Sequence, residues 1–500
     1  MAGLAVWVVG GLLAYRMALV LYRVFFHPLR KIPGPKLAAM STAYQFYYEI
    51  IKQGTFIWHL EKLHEVYGPI VRIGPREVHV KDSEYYETIY ASSGRRREKD
   101  AATVAQFDIP GSSFSSVSPE IHRMRRSPVE KFFSKGAINR TEQNVQKQLD
   151  KLVARLEQAQ KAHKVVAMDA GFAAMTSDII HEYVFGLHTG NLDQEDFNER
   201  IRDGVNGLFK LGHLSRFLPW IQPLMATLPR FLMDMLSPYA FALMDQKQFI
   251  HDQVVAIQTG QNKGSAGSVM EKLSGPGLPD HFKSARNLSD EGFALVIGGT
   301  ETTARSLSVG LFHLLNEPRL IHKLREELRA VMPTPTSKPT WNQLEQVPYM
   351  MGVVLETFRL ATGIASRSPR VAPSEALVYK DYTIPPGHMV SQVNYFVLMD
   401  PSIFPDPEVF DPERWTRAAA KGERLDKFLV NFSKGSRICL GMNLAYAEIY
   451  LTIATLVRRF ELELFETTKE NIAFARDFGT PYPDQGNYSL RVLVKGQVSE

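Results

Sequence analysis

The chain has 500 residues, with 58 Lys and Arg against 53 Asp and Glu, a formal charge of +5, 45% hydrophobic residues and 22% charged ones. That balance belongs to a globular protein with a large core, and so mild a basic excess argues against a nucleic-acid binder. A single cysteine, Cys439, excludes an intramolecular disulfide, and no Cys/His cluster suggests zinc.

Residues 3–22, GLAVWVVGGLLAYRMALVLY, are apolar except for Arg16 and long enough to cross a bilayer as a helix. Arg16 lies about 9 Å of helix rise before Tyr22, within snorkelling reach of the interface. Arg23, Arg30, Lys31 and Lys36 follow the span and no charged side chain precedes it, so the positive-inside rule puts the body in the cytoplasm. A cleaved signal peptide needs a basic leader and a small-x-small site; neither is present, which favours an uncleaved anchor over residues 1–26. Residues 27–36, HPLRKIPGPK, read as a stiff non-helical connector, within a hinge over 27–45 ahead of one large domain over 46–500.

Residues 69–80, PIVRIGPREVHV, alternate around a Gly-Pro turn and predict a short hairpin. Residues 100–121 lack periodicity and read as a loop. The basic run HRMRRSPVEKFFS, 122–134, reads as a solvated helix face. Residues 205–236 hold Phe209, Phe217, Leu218, Trp220, Ile221, Leu224, Phe231 and Leu232. Two readings stand for them: ordinary core helices, or a lid that dips into the membrane to which the anchor leads. The Gly/Ser-rich stretch 258–285 reads as a loop.

One long buried helix is expected from Asn287 to Asn316, with Ser289 as cap and Asp290 and Glu291 in its first turn. At its middle stands Gly298-Gly299-Thr300-Glu301-Thr302-Thr303. Two interior glycines cost about 1 kcal/mol each against Ala, and a buried carboxylate costs more unless partnered. Tight packing explains the glycines but not the acid and hydroxyls beside them. A groove over a bound small ligand, with Glu301 and Thr302 as a proton relay, explains both.

An amphipathic helix follows over 318–331, and Thr340-Trp341-Asn342-Gln343 offers a capping box. Glu356 and Arg359, three apart on one helix face, would alone make a surface pair of little worth. Near the C-terminus, Asn431 to Glu448 reads NFSKGSRICLGMNLAYAE. A lone cysteine is ordinarily a small buried hydrophobe. Here Phe432, Gly435, Arg437, Cys439 and Gly441 surround it at fixed spacing. A cysteine thiolate can be the axial ligand of haem iron, shielded by Phe432, with Gly435 and Gly441 letting the backbone approach a flat macrocycle and Arg437 meeting a propionate.

This Phe-x-x-Gly-x-Arg-x-Cys-x-Gly pattern resembles the cysteine loop of the cytochrome P-450 superfamily of haem-thiolate monooxygenases. Ser433 stands where many members have Gly. The Gly-Gly-x-Glu-Thr-Thr stretch of the central helix matches the same family, and the resemblance runs from about residue 28 to the end. It implies a mainly α fold with small β-sheets, a single large catalytic domain behind an N-terminal transmembrane helix. It also implies haem b, Cys439 as the axial ligand of its iron, and Arg437, Arg126 and Arg367 as propionate partners. His122 takes the place of a family Trp, four residues before Arg126. A buried structural triad of Glu356, Arg359 and Arg414 is implied too, with Ala365–Pro369 as a strand along the haem edge, the 100–121 loop over the pocket and the turn around Phe478–Tyr482 returning to it.

The resemblance further implies electrons from NADPH, delivered by a flavoprotein reductase, with one atom of dioxygen entering an apolar substrate and the other leaving as water. The basic residues Arg123, Arg125, Lys131, Lys135 and Lys434 offer a face for an acidic reductase domain. The chain looks most like fungal microsomal members of secondary metabolism, which points to a terpenoid or polyketide-derived substrate and to the endoplasmic reticulum membrane, single-pass, with the catalytic domain cytoplasmic. The rivals are a haem-thiolate isomerase or dehydratase, which usually lacks the acid–threonine pair, and a non-catalytic haem-binding protein.

Overall fold

The computed structural model describes residues 2–199, 204, 207, 212–221, 224, 227, 228, 238–262, 264, 266–276, 278–484 and 489–498. The fold is mainly helical with small sheets. Its axis is the helix Ala285–Asn316, apolar around most of its circumference. Helices Met168–Phe185, Pro348–Ala361, Pro238–Gln258 and Met442–Arg459 pack around it and share one hydrophobic core. The expected burial of the central helix follows from that position.

Its start differs from the expectation. Ser284 is the cap, accepting a hydrogen bond from the Asn287 amide. Ser289 lies inside the helix, its hydroxyl bonded to the Ala285 carbonyl. Asp290 and Glu291 serve another segment: Asp290 accepts from the Gly111 amide at 2.7 Å, and Glu291 from the amide and hydroxyl of Ser113.

A five-stranded sheet lies to one side. Its strands run, in spatial order, Ile70–Arg72, Glu77–Val80, Met389–Ser391, Arg370–Val371 and Glu98–Lys99. The first two form the predicted hairpin, with Val71 opposite His79. The Arg476–Phe478 and Thr480–Tyr482 strands form a hairpin about Gly479, whose carbonyl accepts from the Ala365 amide. Ala365–Pro369 is not a strand and bends at Ser366; pairing begins only at Arg370.

Two stretches expected to be loops contain short capped helices. Asp100 caps Ala101–Ala105 through the Thr103 amide, and Ser268 caps Val269–Ser274. The connector over 27–36 holds a 3-10 turn, Pro28–Lys31, and packs onto the body through fully buried Leu29. Thr340 makes the predicted capping box with Gln343. Within 205–236, Phe209, Phe231 and Leu232 lie outside the described residues, while Trp220 and Leu224 are exposed. One helix among the described residues is long and apolar enough to cross a membrane, Gly3–Phe26, and none of it is buried.

Candidate active site

Cys439 sits in a turn between Gly435–Arg437 and the helix Met442–Arg459, its amide bonded to the Phe432 carbonyl at 2.9 Å. Ser433 is left-handed here, with φ 59°, which accounts for a preference for glycine at that point. Gly435 is left-handed too, and a Cβ on it would meet the Tyr90 and Ala91 carbonyl oxygens at 2.2 and 2.3 Å. Its need is therefore close backbone packing rather than approach to a macrocycle. Gly441, by contrast, faces open space. Phe432 stacks edge-on against Phe358, with Tyr446 as third ring, and forms an apolar floor to the loop.

Cys439 is accessible although protein groups surround its sulfur. Burial pushes its pKa up, while the amides of Gly441 and Met442 and the charge of Arg126 act the other way. Those amides and that cation are what an anionic sulfur needs.

Lys99, Arg126, Arg370 and Arg437 lie within electrostatic reach of one another, with His122 among them, and Arg126 also acts on the Cys439 sulfur. Burial and then the charges of Arg370, Arg437 and Arg126 push Lys99 well below the usual lysine range. Burial and then Arg370 bring Arg437 down to about 10, and its buried Nε has no protein partner. Burial, Arg437 and Arg126 hold His122 at about 3, so it is a neutral donor. Glu98 and Glu120 are both held by Arg96, outside the cluster, and the one carboxylate paired with a member, Glu130, is exposed and stands 3.7 Å from Arg126. Four cations so concentrated repel one another unless an anion of more than one charge joins them. A macrocycle with two propionates, bound through iron to Cys439, fits this donor set.

Arg367 does not join the cluster. Its guanidinium turns away, to Glu49 at 2.8 Å and Glu77 at 3.1 Å. Arg370, instead, is the arginine of this segment that joins Lys99 and Arg437. The two arginines are three residues apart in extended chain, so they face opposite sides. That alternation was the signal available in Ser366-Arg367-Ser368-Pro369-Arg370; for Lys99, inside Arg95-Arg96-Arg97-Glu98-Lys99, no comparable signal existed.

On the central helix the two glycines differ in use. A Cβ on Gly299 would meet Ile180 at 2.9 Å, so this glycine permits helix packing; Gly298 faces open space. The Thr302 hydroxyl donates to the Gly298 carbonyl at 2.7 Å, leaving its lone pairs to accept. Glu301 is buried one turn before Arg305, whose pKa burial lowers to about 10 against the opposing charge of Glu301.

Behind the loop, Glu356, Arg359 and Arg414 meet. The Glu356 carboxylate, wholly buried, accepts from Arg359 at 2.6 and 3.0 Å, from Arg414 at 3.3 Å, and from the Trp415 indole and Asp411 amide at 3.0 and 3.1 Å. Arg359 also reaches the carbonyls of Leu398, Pro407 and Val409. The proposed reductase face is more committed than its sequence suggests. Arg125 turns to the carbonyls of Pro110 and Ser112, Lys135 pairs with Glu345 at 2.6 Å and Lys434 stands 3.6 Å from Glu87, whereas Arg123 and Lys131 are exposed.

Comparison with known proteins identifies the family. Residues 34–485 match the family described as Cytochrome P450. The chain is 43% identical over 496 residues to cytochrome P450 monooxygenase aflU of Aspergillus parasiticus, covering 97% of each chain. It is 42% identical to cytochrome P450 monooxygenase TRI4 of Trichoderma arundinaceum, covering 92% of this chain and 90% of that one. It is also 42% identical to conidiogenone synthase PchP450 of Penicillium rubens, covering 97% and 98%. With this match over nearly its whole length, the chain belongs to the cytochrome P450 family of haem-iron monooxygenases.

Proposed function

We propose that this is a membrane-anchored monooxygenase of fungal secondary metabolism, acting on a small apolar terpenoid or polyketide-derived substrate with dioxygen and with electrons from NADPH through a flavoprotein reductase. The observation that carries the reading is the accessible Cys439 beside a cluster of four cations of which only Arg126 has a carboxylate near it, an exposed one at 3.7 Å. Haem, when bound, supplies the activation of dioxygen that a thiolate ligand promotes. Arg126, Arg370, Arg437 and Lys99 would hold its propionates, with His122 as a neutral donor. Phe432 and its aromatic neighbours keep water from the sulfur.

Gly298 leaves room beside the site, and Thr302 accepts a hydrogen bond at Oγ1 because its own proton is committed to Gly298. The hydroxyl would therefore hold a water in reach of the reacting oxygen rather than surrender its own proton. Glu301 is the proposed route by which protons reach that water. The acid–threonine pair favours oxygen chemistry over the isomerase or dehydratase reading. Thr302→Ala is expected to keep folding, haem content and substrate binding. With reductase and a substrate-bearing fungal extract, NADPH should still be consumed, but a larger share of its electrons should appear as hydrogen peroxide. An unchanged peroxide-to-NADPH ratio would remove the support for this proton route, and no NADPH demand in either form would favour the isomerase.

The anchor proposal rests on the exposed apolar helix Gly3–Phe26 and the cations after it. It places the protein in the endoplasmic reticulum membrane, single-pass, with its catalytic domain in the cytoplasm. Deleting residues 1–26 should move much of the protein to the soluble fraction with its haem spectrum intact. Retention of the truncated protein on carbonate-washed membranes would shift attention to exposed Trp220 and Leu224.

A further inference from the structure

The ion pair that draws Arg367 from the haem edge belongs to a larger buried cluster. Glu49 on the N-terminal side, Glu77 on the sheet and Asp477 on the C-terminal hairpin supply three carboxylates, all buried. Against them stand Arg367 and Arg216, the latter 3.6 Å from both Glu49 and Glu77. Two guanidiniums and three carboxylates leave one negative charge over, in a place where an uncompensated charge is expensive.

Among the described residues, the remaining titratable group of the cluster is His213, buried between two of the carboxylates. Its Nδ1 lies 3.4 Å from Glu49 and its Nε2 3.8 Å from Asp477, with the Ser366 hydroxyl at 3.3 Å and the Phe478 ring edge-on. Ser366 itself donates to Asp477. A proton on His213 makes the cluster neutral.

His213 and Arg216 are the contribution of the helical stretch 212–217; every other member lies on the body of the domain. The attachment point is the segment that leads, three residues on, to Arg370 in the cation cluster, together with the hairpin bonded to it at Ala365. We propose that His213 is held as an imidazolium and that its charge latches the 212–217 helix onto this edge of the haem site, making access to the site depend on pH. The part concerning access rests on the haem-monooxygenase reading; the latch itself does not.

Burial opposes the charge on His213, and so does Arg216; the close approach of Glu49 and the charges of Asp477 and Glu49 outweigh them and raise its pKa above the ordinary value. A raised folded pKa means that the stabilisation is complete below the unfolded histidine value. It is lost as pH rises through the folded one, by up to tenfold per pH unit. Arg216 and Arg367 keep their charge over that range, and Glu49 and Glu77 are held ionised by Arg367 and Arg216. The loss therefore belongs to His213.

The test uses the full-length holoprotein and two readouts at about pH 6.5 and about pH 9, bracketing the expected change. One is amide exchange in the 212–217 peptide, corrected for the intrinsic pH dependence. The other is the rate at which 3-phenylpyridine, uncharged over this range, perturbs the ferric haem spectrum. Both are expected to rise at the higher pH, by up to about tenfold for each unit that separates the folded from the unfolded histidine value. His213→Gln should be fast at both pH values. His213→Gln with Asp477→Asn, which restores neutrality, should be slow at both. If His213→Gln does not fold, Asp477→Asn alone must move the step to lower pH. A wild type without the exchange step, a His213→Gln protein that keeps it, or a double variant as fast as the single one overturns the latch. An exchange step with a pH-independent pyridine rate overturns its control of access. No pyridine spectrum in any form would count instead against the haem reading.

Discussion

Glu356→Ala is expected to yield aggregated, haem-free protein rather than a weakened enzyme. The carboxylate receives five hydrogen bonds from four residues and is wholly buried. Removing it leaves the guanidiniums of Arg359 and Arg414 in the interior without their anion. Breaking a buried pair in this way costs about 3–5 kcal/mol, a large share of the roughly 5–15 kcal/mol by which native proteins are stable. The loss falls on a junction with no slack: a Cβ on Gly352, one turn earlier, would meet the Pro412 carbonyl at 2.2 Å. That junction ties the helix Pro348–Ala361 to the stretch before the cysteine loop. Exposed Glu413, paired with Lys323, is the control; Glu413→Ala should change stability by no more than about 1 kcal/mol. Yields of soluble holoprotein and thermal midpoints check both. A Glu356→Ala protein with normal haem content would show that the triad does not hold the loop.

Much of this site was legible because its parts are local in sequence. The cysteine loop has its chemistry within ten residues, and the Gly298–Thr303 stretch carries a combination that packing alone does not explain. What the sequence could not supply was direction. Gly298 and Gly299 are neighbours, yet the helix turns about 100° between them, so one faces the site and the other Ile180. Arg367 and Arg370 are equally plausible partners for an anion until the extended chain assigns them to opposite sides. Once Arg367 is committed to Glu49 and Glu77, residues far away in sequence, only Arg370 remains.

Caps were misread for a similar reason. Ser284 and Ser289 both suit a helix start, and the structure uses Ser284 while Ser289 bonds back to the Ala285 carbonyl inside the helix. The short helices Ala101–Ala105 and Val269–Ser274 escaped because five or six residues show no period. Their caps, Asp100 and Ser268, were the only local sign. The reductase face illustrates the opposite failure. Its basic residues are real, but carbonyls and carboxylates from distant segments claim three of them.

The second large effect concerns Cys439. Haem held only by propionates and apolar contact lacks the ligand that fixes its electronic character, so Cys439→Ala should remove that character even where the fold survives. The substitution deletes an accessible sulfur and leaves the Phe432, Phe358 and Tyr446 rings in place. Stability should thus change little compared with Glu356→Ala, while activity should be lost. The direct measurement is the spectrum of the carbon monoxide complex of the reduced protein, wild type beside Cys439→Ala. The wild type should give the long-wavelength Soret band of thiolate ligation, and the variant should bind less haem and give none of that band. A variant that keeps the band unshifted would contradict Cys439 as the ligand, and with it the account of the site.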